Sequence, residues 1–116
     1  MFTVEEIIEA TGGKLIRGAG QKTAAVKGVS INSRTIAKGE LFVAIKGDRF
    51  DGHDFIKQVA RKAAVLVVAR NDRSIPQNIP AIMVKDTTIA LGLLARYHRD
   101  RFKVPVIAIT GSAVDF

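Results

Sequence analysis

The 116-residue sequence contains no cysteine and no tryptophan, and only one tyrosine and three prolines. Without cysteine there is no disulfide framework, no thiolate-bound zinc or iron–sulfur centre and no thiol nucleophile. The composition fits a reducing cytoplasm. Long apolar runs are also missing: stretches such as Ala63–Ala69 fall far short of the ~20 residues needed to cross a bilayer, so membrane insertion is not expected. The opening Met1-Phe2-Thr3-Val4-Glu5-Glu6 carries acids rather than a basic segment and does not read as a signal peptide. A formal net charge of +7 directs attention to anionic partners. Yet the lysines and arginines form no block of five or six, the densest group being Arg96, Arg99, Arg101 and Lys103, and bases would find little to stack on. Nucleic acid is therefore not an expected partner; the pattern describes a solvated, mildly anion-friendly surface.

What is present is a chain long enough to bury a core without staples, as one domain or one small domain plus the start of another. Thr3 and Glu6 have capping-box spacing, with Phe2 and Ile7 placed as a hydrophobic staple. Val4, Ile7, Ile8 and Thr11 then share a helical face, and Gly12-Gly13 ends the helix. Strands are predicted over Lys14–Arg17, Val26–Asn32, Leu41–Ile45, Val65–Ala69, Ala81–Val84 and Val104–Ile109. A second helix follows Asp51-Gly52-His53-Asp54, with Phe55, Ile56, Val59, Ala60 and Ala63 facing one way. A third begins after Asp86 as cap, with Ile89, Ala90, Leu93, Leu94 and Tyr97 on its apolar side. Apolar strands without polar alternation, interleaved with helices, predict an α/β fold whose sheet is covered by helices.

Three segments hold residues with chemical potential. Ile107-Ala108-Ile109-Thr110-Gly111-Ser112 is a strand running into a small glycine turn, the way a phosphate-binding loop begins. A complete loop continues Gly-Lys-Thr/Ser; this chain continues Ala113-Val114-Asp115-Phe116, with a carboxylate where the lysine belongs, and an ordinary strand end is the alternative. In Ser30-Ile31-Asn32-Ser33-Arg34-Thr35, the Ser33 hydroxyl and Arg34 guanidinium could hold a diphosphate. The favoured reading there is a turn whose Asn and Ser bond their own backbone. Lys46–Asp54 joins a buried strand to a helix start, a junction where α/β proteins place ligands. Phe50 could flank a flat base while the backbone of Gly47–Phe50 reads its edge. Asp51 and Asp54 read as helix caps and His53 as a first-turn surface residue; one His and two Asp in a cap are not a metal site. His98 reads as solvated surface. No Ser-His-Asp arrangement is arguable, and no catalytic residue is assigned.

These segments together resemble the Mur ligases, the ATP-dependent amide-bond ligases of peptidoglycan precursor synthesis. The resemblance is carried by Phe2–Gly13, Gly28–Thr35, Gly39–Ile56, Asp86–Tyr97 and Val106–Ser112, and ends about residue 113. Asn32 stands where the family usually has Asp. Arg49-Phe50 and Ala95-Arg96-Tyr97-His98-Arg99 tilt the likeness toward members that add D-alanyl-D-alanine to UDP-N-acetylmuramoyl-tripeptide, over those that add the third amino acid.

The resemblance implies a small N-terminal substrate-binding domain over 1–84, a mixed sheet with helices, then the first helix and strand of a truncated P-loop ATPase domain over 85–113, and a non-family tail over 114–116. It implies that Ile31 and Ser33 contact the uridine diphosphate, that Asp48, Arg49 and Phe50 form the uracil loop, and that Thr110, Gly111 and Ser112 begin the ATP loop. ATP and Mg²⁺ would serve the full-length bacterial cytoplasmic enzyme, and neither this chain alone nor its residues would turn over ATP. A rival reading is a free-standing adaptor that binds a protein or polyanion through the Arg96–Lys103 face.

Overall fold

The computed structural model describes residues 2–21, 25–102, 106–110 and 112–115. Its main sheet has seven strands in the order β2-β7-β6-β5-β4-β8-β9, comprising β2 (Lys14–Arg17), β4 (Val29–Ser30), β5 (Leu41–Val43), β6 (Val65–Val68), β7 (Ala81–Met83), β8 (Val106–Thr110) and β9 (Ser112–Asp115). The five central strands are parallel; β2 runs antiparallel to β7 and β9 antiparallel to β8. Two short strands, β1 (Phe2–Thr3) and β3 (Ala25–Val26), pair separately. Three α-helices accompany them: α1 (Val4–Thr11), α2 (Ile56–Val59) and α3 (Thr87–Phe102).

The apolar strands are explained by burial on both faces. Side chains alternate across a strand, so Leu41, Val43, Val65, Val67 and Ile82 enter one core with Val4 and Ile7 of α1 and Ala90, Leu94 and Ala95 of α3. Phe42, Ala44, Leu66, Val68 and Ala81 enter the other, against Ile56 and Val59 of α2, with Ile36 and Ile75. A sheet sandwiched in this way has no solvent face on which polar residues could alternate.

Helix α1 starts as its sequence predicts. Thr3 Oγ1 accepts from the Glu6 N–H at 3.2 Å and Glu6 Oε1 accepts from the Thr3 N–H at 2.9 Å. Gly12 ends the helix at φ 70°, in the left-handed region where glycine has no Cβ penalty.

Four expectations are corrected. Val26–Asn32 is not one strand: the chain leaves β1 at Val26 and joins β5 at Val29, while the Lys27 N–H donates to the Gly39 carbonyl. The second helix is a 3-10 turn (Gly52–Phe55) followed by one α-turn, because Ala60–Ala63 must bend back into β6. On α3 the buried stripe is Thr87, Ala90, Leu94 and Ala95, whereas Ile89 is 62% exposed and Leu93 37%. The helix lies on the sheet through its small residue Ala90, which rotates its neighbours outward. His98 is half-buried, its ring edge-on to Phe2 at 5.7 Å, and burial lowers its pKa from the ordinary value.

The segment expected to open a second domain contributes to the same sheet. β8 pairs with β4 through Val29↔Ile109 and Ser30↔Thr110, and α3 packs against α1. An apolar strand with unpaired backbone groups is stabilised by joining an available edge.

Candidate functional site

Strands β4 to β7 follow one another across the sheet in one direction, after which the chain crosses back through α3 so that β8 lies on the far side of β4. Reversal of strand order leaves a crevice outside the carboxyl ends of the two strands concerned, and ligands of open α/β sheets bind there. The loops after β4, β5, β6 and β7 leave this carboxyl edge.

The loop after β4 is a compact turn. Ser30 Oγ donates to the Asn32 carbonyl (3.1 Å) and accepts from the Asn32 N–H (3.2 Å). Asn32 Oδ1 accepts from the Arg34 N–H at 2.8 Å, and Ile36, buried, donates its N–H to the Asn32 carbonyl at 3.2 Å. The turn reading is therefore the correct local description. It does not consume the donors singled out above: among the described residues the Ser33 hydroxyl and the exposed Arg34 guanidinium have no hydrogen-bond partner. Ile31 is half-buried against the first core.

After β5 the chain forms a small hairpin. Lys46 and Asp51 pair as an isolated antiparallel β-bridge of the backbone, the Gly47 N–H donates to the Phe50 carbonyl (2.8 Å), and the Gly52 N–H donates to the Ile45 carbonyl (2.8 Å). Asp48, Arg49 and Phe50 stand exposed at its tip. Phe50 is 58% exposed and its ring meets Phe55 edge-on, with centroids 6.2 Å apart. Such an aromatic offers a stacking face without needing the core.

Asp51 and His53 depart from the sequence reading. Asp51 is a cap, its Oδ1 accepting from the His53 N–H at 2.9 Å, but Asp54 is not; it is exposed, 3.9 Å from Arg70. His53 is buried, not a surface residue. Its Nδ1 lies 2.6 Å from Asp51 Oδ1, and its Nε2 accepts the Ala69 N–H at 2.9 Å. A backbone N–H can only donate, so the ring carries its hydrogen on Nδ1 and gives it to the carboxylate. Arg70 Nη1 completes the set at 2.8 Å from Asp51 Oδ2. Sequence reasoning missed this arrangement because Asp-Gly-His reads as a cap wherever the ring points; only the return of β6 beside β5 places an N–H that can donate to the ring.

Burial pushes the Asp51 carboxyl up, but hydrogen bonds from the His53 backbone and ring and from Arg70 outweigh it and hold the pKa well below the usual carboxylate range. A folded-state value below the unfolded one contributes stability that is present above the unfolded pKa, about 3.9, and is lost as pH falls through the folded value. The unfolding free energy should accordingly hold from neutral pH to about 4.5 and decline in stronger acid. Asp51→Asn should shallow that decline in urea titrations at graded pH; an unaltered acid slope would contradict the assignment.

Between these ends and the start of α3 lies a cleft of about 420 Å³ lined by Lys46, Asp51, His53, Arg70, Lys85 and Thr87, among others. The α3 N-terminus is already capped, Asp86 Oδ1 accepting from Thr88 (2.8 Å) and Ile89 (3.1 Å). Among the described residues no cluster of three or more His, Asp or Glu could hold a metal ion, and no helix is long and apolar enough to cross a membrane. Thr110 closes β8 and Ser112 opens β9, which pairs back along β8; Gly111 lies outside the described residues.

Comparison with known proteins places this geometry. Residues 25–99 match the family model described as Mur ligase family, catalytic domain. The UDP-N-acetylmuramoyl-tripeptide–D-alanyl-D-alanine ligase of Bacillus subtilis is 38% identical over 113 residues, which is 95% of this chain and 24% of that protein. The UDP-N-acetylmuramoyl-L-alanyl-D-glutamate–2,6-diaminopimelate ligase of Aquifex aeolicus is 43% identical over 89 residues, 75% of this chain and 18% of that one. A crystal structure of MurF from Acinetobacter baumannii superposes with a TM-score of 0.73 at 32% identity, covering 86% of this chain and 21% of its own. The chain thus spans about a fifth of the length of these relatives. With the turn after β4 and the hairpin after β5 inside the matched residues 25–99, the chain belongs to the Mur ligase family.

Proposed function

We propose that this chain binds the uridine diphosphate end of UDP-N-acetylmuramoyl-tripeptide, as the substrate-recognition part of a cytoplasmic, ATP-dependent ligase that adds D-alanyl-D-alanine in peptidoglycan precursor synthesis. One observation carries the reading. The turn 31–34 and the hairpin 46–51 leave adjacent parallel strands on the same edge, the first with an unbonded hydroxyl and guanidinium, the second with an exposed aromatic ring. Arg34 and Ser33 suit phosphate oxygens, and a guanidinium binds them through two parallel N–H bonds. Phe50 suits the base, Asp48 and Arg49 its polar edge, and Ile31 the apolar flank of the ribose. Residues 1–84 would carry this recognition, and 85–113 would lead into the ATPase part, to which Mg·ATP and the acyl phosphate chemistry belong. No phosphoryl-transfer residue is assigned to the chain, so it should bind without turning over ATP.

The diaminopimelate-adding relatives support a second reading, in which the tripeptide is the product rather than the substrate. Both precursors share the uridine diphosphate end, so the site described serves either.

Calorimetric titration with UDP-N-acetylmuramoyl-tripeptide, its dipeptide counterpart and UDP tests this. Binding is expected near the millimolar end of the affinity scale. Phe50→Ala should weaken it about tenfold or more, since base–aromatic stacking is worth roughly 1–3 kcal/mol, and Ser33→Ala should weaken it by a smaller factor. Tighter binding of the dipeptide form would favour the second reading. Equal binding by wild type and Phe50→Ala would remove the uracil assignment.

A further inference from the structure

We propose that His53 is a positioning residue for the hairpin after β5: its ring ties the hairpin base to the end of β6 and so fixes where Asp48, Arg49 and Phe50 stand. The ligand side of this inference rests on the uridine diphosphate reading above; the strut itself does not.

The hairpin has little else to hold it. Lys46 through Phe50 are all exposed, so no buried apolar side chain anchors the tip. Its own closure consists of the Gly47 N–H to Phe50 carbonyl bond, the Gly52 N–H to Ile45 carbonyl bond and the backbone β-bridge between Lys46 and Asp51. Tertiary anchorage passes through Asp51, whose Oδ1 meets both His53 nitrogens that face it and whose Oδ2 accepts from Arg70. The far nitrogen of the same ring receives the Ala69 N–H, at the first residue beyond β6. One buried imidazole thus joins the loop after β5 to the strand beside it. Because both ring nitrogens are engaged within the protein, the ring has no free edge for a ligand or a proton transfer; its effect on binding must pass through the hairpin. Bonds to a carboxylate in a largely buried place are among the stronger ones available to a protein.

The test compares the labelled 116-residue chain with His53→Ala, His53→Gln and Arg70→Met, measuring amide hydrogen exchange and then UDP affinity. In His53→Ala, exchange at the Gly47 and Gly52 amides should rise about tenfold or more, the scale of one lost hydrogen bond, while Leu66 and Ile82 in the central sheet keep their protection. UDP affinity should fall about tenfold alongside. His53→Gln, whose amide oxygen can reach the Ala69 N–H, should recover part of both. Arg70→Met, at a half-exposed position that leaves the core intact, should move the same amides by a smaller factor and decides the matter if His53→Ala does not fold. Exchange rising uniformly across the sheet, or a loosened hairpin with UDP affinity unchanged, would overturn the proposal. If the wild type shows no affinity for UDP, the functional reading falls, while unchanged or raised exchange at Gly47 and Gly52 still rejects or supports the strut.

Discussion

Phe42→Ala should remove about 3–5 kcal/mol of stability, the range for deleting a fully buried phenylalanine. Phe42 is 1% exposed and stands in the middle of β5, between β4 and β6, facing Ile56, Val59 and Ile36. Its loss leaves a void between the sheet and α2 that backbone on both sides cannot collapse to fill. Against a typical total of roughly 5–15 kcal/mol, much of the chain would be unfolded at ordinary temperature. The urea midpoint should drop sharply with little change in slope. The same substitution at Phe50, 58% exposed, should alter stability by no more than about 0.5 kcal/mol while weakening ligand binding. That contrast separates a residue that holds the sheet from one presented by it. Similar stability losses at the two positions would mean the hairpin is part of the core.

Gly52→Ala should be nearly as damaging, at about 3 kcal/mol. A Cβ there would lie 2.9 Å from the Ile45 nitrogen, 3.0 Å from Ala44 Cα and 3.2 Å from the Ala44 carbonyl carbon. These are backbone atoms at the end of β5 and cannot rotate aside. The only relief is for residue 52 to move away, which breaks its 2.8 Å hydrogen bond to the Ile45 carbonyl and opens the hairpin base. Urea unfolding and amide shifts together check this: the midpoint should fall and the amides of 46–51 should move. A midpoint within experimental error of wild type would show that Gly52 does not close on β5. Gly12→Ala is a useful contrast, because nothing lies near its Cβ and only its φ of 70° is strained, a cost of about 1 kcal/mol.

These two positions also show why some of the molecule was legible in its sequence and some was not. Leu41-Phe42-Val43-Ala44 is apolar at every position, and only a strand buried on both faces needs that, so helices on both sides of a parallel sheet follow from local composition. Thr3 and Glu6 are equally local: the spacing is the capping box. The Asp86 cap of α3 was visible for the same reason, whereas the direction of its apolar face was not. Ile89 and Leu93 have the right period, but where a helix sits on a sheet depends on which side chain is small enough for close approach, here Ala90. His53 marks the limit most clearly. Its partners are two residues before it and sixteen after, and the second is a backbone N–H that no residue type announces. The site residues divide likewise. Ile31, Ser33, Asp48, Arg49 and Phe50 came from the family resemblance, and the sheet order supplies a physical reason for them to lie at one edge.

The most direct test of the central claim is to follow the backbone amide shifts of the labelled chain during titration with UDP-N-acetylmuramoyl-tripeptide, with Mg·ATP titrated in parallel. Uridine diphosphate recognition at this sheet edge predicts shifts concentrated at Ser33 and Gly47–Phe50 that saturate near millimolar ligand and are not produced by Mg·ATP. Shifts elsewhere with those residues silent, or the same shifts with both ligands, would contradict it.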